Sequence, residues 1–210
     1  MGSGGMQIVC VALAIFGLIG AILCCALPKW RETSFVGENI VTAQTTQEGI
    51  WMTCVIQSTG QMLCKSYDSL LVLPQDLQVA RALTIISIIL VVFGILTLFF
   101  GAEFTTFIDN ESVKSKIALT SGIILIVAGI LLIIPVSWSA NIVIRNFYDS
   151  LVVRKMELGA CIFIGWAASV ILFIAGGLIC FFRPKGTDPN FSAKYYSHSN
   201  PTAPAAKNYV

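Results

Sequence analysis

Four stretches of this chain contain no charged residue: Gln7 to Leu27, Ala82 to Ala102, Ile117 to Ala140 and Leu158 to Phe182, at 21, 21, 24 and 25 residues. A helix rises about 1.5 Å per residue, so each stretch is long enough to cross about 30 Å of hydrocarbon. Lipid offers no partner to a bare peptide group, and a lone apolar segment can satisfy its own backbone only as a helix. Four transmembrane helices are therefore predicted. The composition agrees: 56% of the 210 residues are hydrophobic and 11% charged, too apolar for a water-facing surface. No Lys or Arg precedes the first stretch, and its apolar run exceeds the roughly 7–15 residues of a secretory signal, so it reads as a retained helix.

The same runs exclude whole classes of function. A charge at the bilayer centre is expensive and is kept for ion pathways, proton relays or voltage sensing. None lies within the four spans, so conduction or pumping along the bundle axis is not expected. A net charge of +2 without a basic cluster gives no footprint for nucleic acid, and the single histidine, His198, lies in the last segment. No catalytic constellation, metal site or cofactor is expected, and the chain is not read as an enzyme.

The helices instead carry small residues suited to close packing: Gly17 and Gly20 in the first, Gly165 with Ser169 in the fourth. Pro135 is expected to bend or loosen the third helix near its outer end and to redirect the chain into the loop beyond. Function is thereby pushed out to the loops and the tail.

Lys and Arg counts do not orient the chain: seven fall in the first and third loops and six on the side of the termini. Cysteines are more informative. Five of seven lie inside the apolar runs, and only Cys54 and Cys64 stand in a loop. A three-residue hairpin turn, Ser58-Thr59-Gly60, puts glycine where a left-handed residue is favoured. Counting outward pairs Gln57 with Gln61, Ile56 with Met62, Val55 with Leu63 and Cys54 with Cys64. Residues directly opposite on antiparallel strands come within about 4.5–5.5 Å at Cβ, close to disulfide reach. The alternatives are two reduced buried thiols or an incomplete zinc pair, and no His or third Cys stands nearby to complete a metal site.

A disulfide persists only in an oxidising compartment, so the long loop is expected to be extracellular and both termini cytoplasmic. The organisation is then a cytoplasmic N-terminus (1–6), a first span (7–27), extracellular loop one (28–81), a second span (82–102), a cytoplasmic loop (103–116), a third span (117–140), extracellular loop two (141–157), a fourth span (158–182) and a disordered cytoplasmic tail (183–210). The fold class is a mostly α membrane protein: a left-handed bundle of four transmembrane helices, with a small extracellular antiparallel β-sheet formed mainly by the first loop. Asn39 to Thr46 and the cysteine segment are its β-prone parts. Trp30 and Trp51 are expected at the lipid–water boundary.

Trp30, Gly49-Ile50-Trp51, Cys54, Cys64 and Arg81 together resemble the claudin signature W…GLW…C…C with an Arg before the second helix. The likeness covers essentially the whole chain, including Pro135-Val-Ser-Trp138 and the final Tyr209-Val210. CCALPKW, GWAAS, SAKYY and the stretch from Gln57 to Leu83 resemble most the branch containing claudins three and four. Ile50 departs from the usual Leu, a nearly volume-conserving exchange.

The resemblance implies a tight-junction protein that polymerises in cis and in trans and seals or charge-selects the paracellular space. Lys65 matches the family's selectivity position, with Asp68 close enough in sequence to temper it, and a cation barrier is the expectation. Phe147, Tyr148 and Glu157 match residues of strand assembly. Tyr209 and Val210 suit capture by PDZ scaffolds of the zonula occludens type through strand addition at the C-terminus. Implied partners are itself, other claudins, such scaffolds and membrane lipid. A clostridial enterotoxin that some claudins bind through an Asn-Pro-Leu-Val motif meets Asp149-Ser150-Leu151-Val152 here, without the Asn-Pro. The family's palmitoylated cysteine pairs are reduced to Cys180. The second reading is an auxiliary or adhesion protein of the calcium-channel gamma or peripheral myelin type, which shares the shorter signature.

Overall fold

The computed structural model describes residues 3–35, 44–57, 59–69, 73–101, 111–148 and 156–182. Each charge-free run forms the bulk of one helix: α1 (Ser3–Ala26), α2 (Gln75–Gly101), α3 (Glu111–Tyr148) and α4 (Ala160–Phe181), all long and apolar enough to cross a membrane. The helices close into a ring in which α1 packs chiefly on α4 and α2 chiefly on α3, with α3 against α4. Buried positions follow a helical stripe, as on α4 at Cys161, Gly165, Ala168, Ser169, Leu172, Ala175, Gly176 and Ile179. The other face stays apolar and exposed, including Phe163, Val170 and Ile174. An exposed apolar surface is what lipid requires.

Small residues bring the helices together. A Cβ on Gly17 would lie 2.6 Å from the Leu172 side chain, and one on Gly20 2.8 Å from that of Ala168. Gly165 meets Val136 and Cys24 in the same way, while the buried Ser169 hydroxyl donates to the Gly165 carbonyl at 2.8 Å. Between α2 and α3, Ser87 donates to the Ala128 carbonyl and Ser121 to that of Gly94, both at 2.8 Å.

α3 does not give way to loop at Pro135. The helix runs unbroken through the proline to Tyr148, 38 residues in all, or about 57 Å, nearly twice the hydrocarbon thickness. Proline forfeits one backbone bond, but Val136, Ala140 and Val143 just beyond it are buried, and that packing lets the helix continue past the missing bond. The segment from Asn141 to Tyr148, expected as loop, is therefore helix projecting from the bundle.

A five-stranded antiparallel sheet caps that end: β1 (Arg31–Phe35), β2 (Gln44–Glu48), β3 (Met52–Ile56), β4 (Met62–Ser66) and β5 (Met156–Leu158), in the order β4-β3-β2-β1-β5. The first loop supplies four strands. The fifth comes from the segment before α4 and pairs with β1, Arg31 opposite Leu158 and Thr33 opposite Met156. Between β3 and β4 the register is Cys54 with Cys64, Val55 with Leu63 and Ile56 with Met62, as counting from Gly60 predicts. Gly60 has φ +80°, the left-handed conformation the turn requires.

Candidate functional site: the joint of sheet and bundle, and the exposed sheet edges

The joint is built around Trp30. Its ring is fully buried among Cys24, Ile50, Leu77, Ala80, Val136 and Ile162, and its indole N–H donates to the Cys24 carbonyl at 2.8 Å. The residue is thus no boundary anchor facing lipid. β1 starts directly above the end of α1, so the indole is enclosed between sheet and helices, and an acceptor at the helix terminus satisfies its single donor. Ile50 is also fully buried, which explains why a branched aliphatic of that volume suffices.

Gly49 sits where the chain leaves β2 and turns toward β3, and a Cβ there would collide with the backbone Cα of Pro28. Gly159, ahead of α4, is as confined: a Cβ would strike the backbone of Lys29 and Trp30. Its amide donates to the Trp30 carbonyl at 3.2 Å, and that of Cys161 to the Lys29 carbonyl at 3.0 Å. These close approaches lock the first loop to the start of α4.

Polar contacts complete the joint. Arg31 forms an ion pair with Asp76 in the first turn of α2, where a carboxylate also suits the helix dipole. Burial lowers the pKa of the Arg31 guanidinium from its ordinary value, against the opposing influence of Glu48 and Tyr67. The Tyr67 hydroxyl accepts from Thr53 at 2.8 Å and donates to the Gly49 carbonyl at 3.2 Å, and burial raises its pKa. Trp51 is 38% exposed. The Arg81 guanidinium lies 4.0 Å from its ring centroid, and its indole N–H points to Cys25 Sγ at 3.5 Å.

Cys54 and Cys64 form the disulfide. It ties β4 to the sheet, yet every β4 residue is exposed, Leu63 and Met62 included. Lys65 projects from this edge strand with its amine 3.0 Å from the Asp68 carboxylate, both side chains largely in solvent. At the opposite edge, Phe147 and Tyr148 end α3 in an edge-to-face pair 5.9 Å apart. With Val143, Ile144, Met156, Glu157 and Leu158 they line an open apolar groove of about 350 Å³, beside which Tyr148 is 81% exposed.

Toward the other end of the bundle, Cys180 Sγ faces Gly122 across the α3–α4 contact, a packing position. No group of three or more metal-ligating side chains occurs among the described residues. The segments Glu103 to Phe107 and Asp149 to Val153 and the tail with Tyr209 and Val210 lie outside them. Sequence reasoning missed the Arg31–Asp76 pair, the Tyr67 bridge, Gly159 and β5. The only signal for the pair was opposite charges some forty-five residues apart.

A family model described as the PMP-22/EMP/MP20/Claudin family matches residues 4–179. The chain is similar to Claudin-4 of Bos taurus, 54% identical over 212 residues and 100% of both chains. Claudin-6 of Homo sapiens is 47% identical, again over 100% of both. Claudin-3 of Homo sapiens is 46% identical over 97% of this chain and 94% of its own.

Proposed function

Because this chain belongs to the claudin family, whose members are tight-junction proteins, we propose that it acts in the junction as a paracellular barrier to cations. Full-length likeness to claudins favours this over the auxiliary-subunit reading. Four membrane-spanning helices make it a multi-pass protein of the junctional membrane, interacting with other claudins there. The sheet is read as extracellular because a disulfide needs an oxidising compartment; both termini are then cytoplasmic.

The observation that carries the barrier reading is Lys65, a solvated cation on an edge strand with no residue shielded. A like charge about 4 Å away costs a passing cation roughly 1 kcal/mol in bulk water and up to about 4 at an effective dielectric of 20. Asp68 tempers this, but a surface pair of this kind is worth only about 0–1 kcal/mol and opens readily. Dilution potentials of Na⁺ and Cl⁻ across claudin-depleted epithelial layers provide the test. Lys65→Asp raises relative Na⁺ permeability, and unchanged selectivity would remove Lys65 from the pore wall.

Assembly in cis and trans is assigned to the Phe147–Tyr148 end of α3 with Glu157, where an apolar groove stands open. Freeze-fracture of cells that lack strands tests it: the wild type forms strands, and Phe147→Ala with Tyr148→Ala forms few. Tyr209 and Val210 are assigned to PDZ scaffolds, to be checked by loss of scaffold binding on their deletion. Asp149-Ser150-Leu151-Val152 lacks the Asn-Pro of toxin-binding loops, so a pull-down with the enterotoxin's binding domain retains nothing.

A further inference from the structure

Arg81 is a cation that the fold positions without an acidic partner among the described residues. Arg31 has Asp76 and Lys65 has Asp68, whereas Arg81 makes no ion pair or hydrogen bond to any described residue. Its Nε is enclosed and without an acceptor, which leaves hydrogen bonding to the Nη groups. One face of the guanidinium is held by the Trp51 ring at 4.0 Å, so its plane is set before any ligand arrives. Trp51 in turn is fixed through Cys25 at the end of α1 and remains part exposed.

The level of this group in the bilayer follows from α2. The helix has 27 residues, about 40 Å, so roughly 10 Å extends beyond the hydrocarbon. Arg81 immediately precedes the charge-free run from Ala82 to Ala102. It therefore lies where hydrocarbon gives way to headgroups, the level at which Arg and Trp side chains settle. The abundant acceptor there is the phosphodiester of a phospholipid, whose two unesterified oxygens match the guanidinium fork.

We propose that Arg81, backed by Trp51, binds the phosphate of a phospholipid in the leaflet on the sheet side. The lipid takes the place of the carboxylate partner that no described residue supplies, and it couples the joint between sheet and bundle to the membrane surface.

Native mass spectrometry of the full-length, detergent-purified chain tests this with dioleoyl phosphatidylglycerol, dioleoylglycerol and inorganic phosphate as probes. The wild type retains one phosphatidylglycerol at least about tenfold more tightly than Arg81→Gln does. Arg81→Lys, which keeps the charge and loses the fork, falls between, and Arg145→Gln, removing a cation at the same end of the bundle, behaves as wild type. Equal retention by wild type and a folded Arg81→Gln overturns the site. A second arm needs no variant: in the wild-type chain, dioleoylglycerol with the same acyl chains binds at least about tenfold more weakly than phosphatidylglycerol. Equal binding of the two also overturns it. Stoichiometric displacement of the lipid by millimolar inorganic phosphate would make the site one for free phosphate and overturn the lipid assignment.

Discussion

Arg31 on the interior strand β1 and Asp76 in the first turn of α2 form an ion pair almost sealed from solvent, their side chains 5% and 14% exposed. It joins the sheet to the helix that carries Arg81. Removing one partner of such a pair leaves a buried, uncompensated charge, at a cost of about 3–5 kcal/mol. Arg31→Ala and Asp76→Asn are each expected to lower the thermal unfolding midpoint in detergent sharply. The apolar double variant Arg31→Met with Asp76→Leu is expected closer to wild type than either single change, because neither charge is then stranded.

The disulfide closes a short hairpin and contributes about 3 kcal/mol on a chain-entropy account. Cys54→Ser, Cys64→Ser and the double variant lose the same bond, so their unfolding midpoints should coincide, and reductant should bring the wild type to the same value. Additive losses in the double variant would mean that each thiol has a separate role.

Two glycines of the first loop separate packing from backbone conformation. Gly49→Ala forces a methyl into the Pro28 backbone, an overpacking of about 1–3 kcal/mol or more. Gly60→Ala meets nothing within 4 Å but must hold φ +80°, a strain of about 1–2 kcal/mol. The first should impair folding and surface delivery clearly more than the second, as quantified by unfolding midpoints and surface biotinylation.

If Lys65 sets selectivity, Asp68 acts as its brake. Asp68→Asn removes the carboxylate 3.0 Å from the amine and should strengthen discrimination against Na⁺ in dilution-potential measurements. The gain should fade as ionic strength rises, since screening acts over about 10 Å at 0.1 M salt. An effect independent of salt would assign Asp68 a structural part instead.

Several of these features are legible in the sequence. The absence of charge over a bilayer's thickness leaves helix as the one backbone solution, and all four helices are present. Gly60 in its turn sets the hairpin register and brings Cys54 opposite Cys64, because a two-residue period allows no slip without inverting every side chain. The small residues Gly17, Gly20, Gly165 and Ser169 stand at helix contacts, as their size implies.

What the sequence determined by itself was local: which segments enter lipid, where the hairpin turns and which cysteines meet. Tertiary structure decided the rest. Pro135 was expected to redirect the chain into the loop beyond, yet α3 continues to Tyr148 because packing beyond the proline outweighs one missing backbone bond. Trp30 was expected as an interfacial anchor, and its ring is sealed inside the joint rather than turned to lipid. Arg31 and Asp76 became partners, and Arg81 was left without one among the described residues, through the way the sheet docks on the bundle. Hydropathy and turn chemistry act over a few neighbouring residues and can be read along the chain, whereas burial and charge pairing depend on which distant segments share the same space.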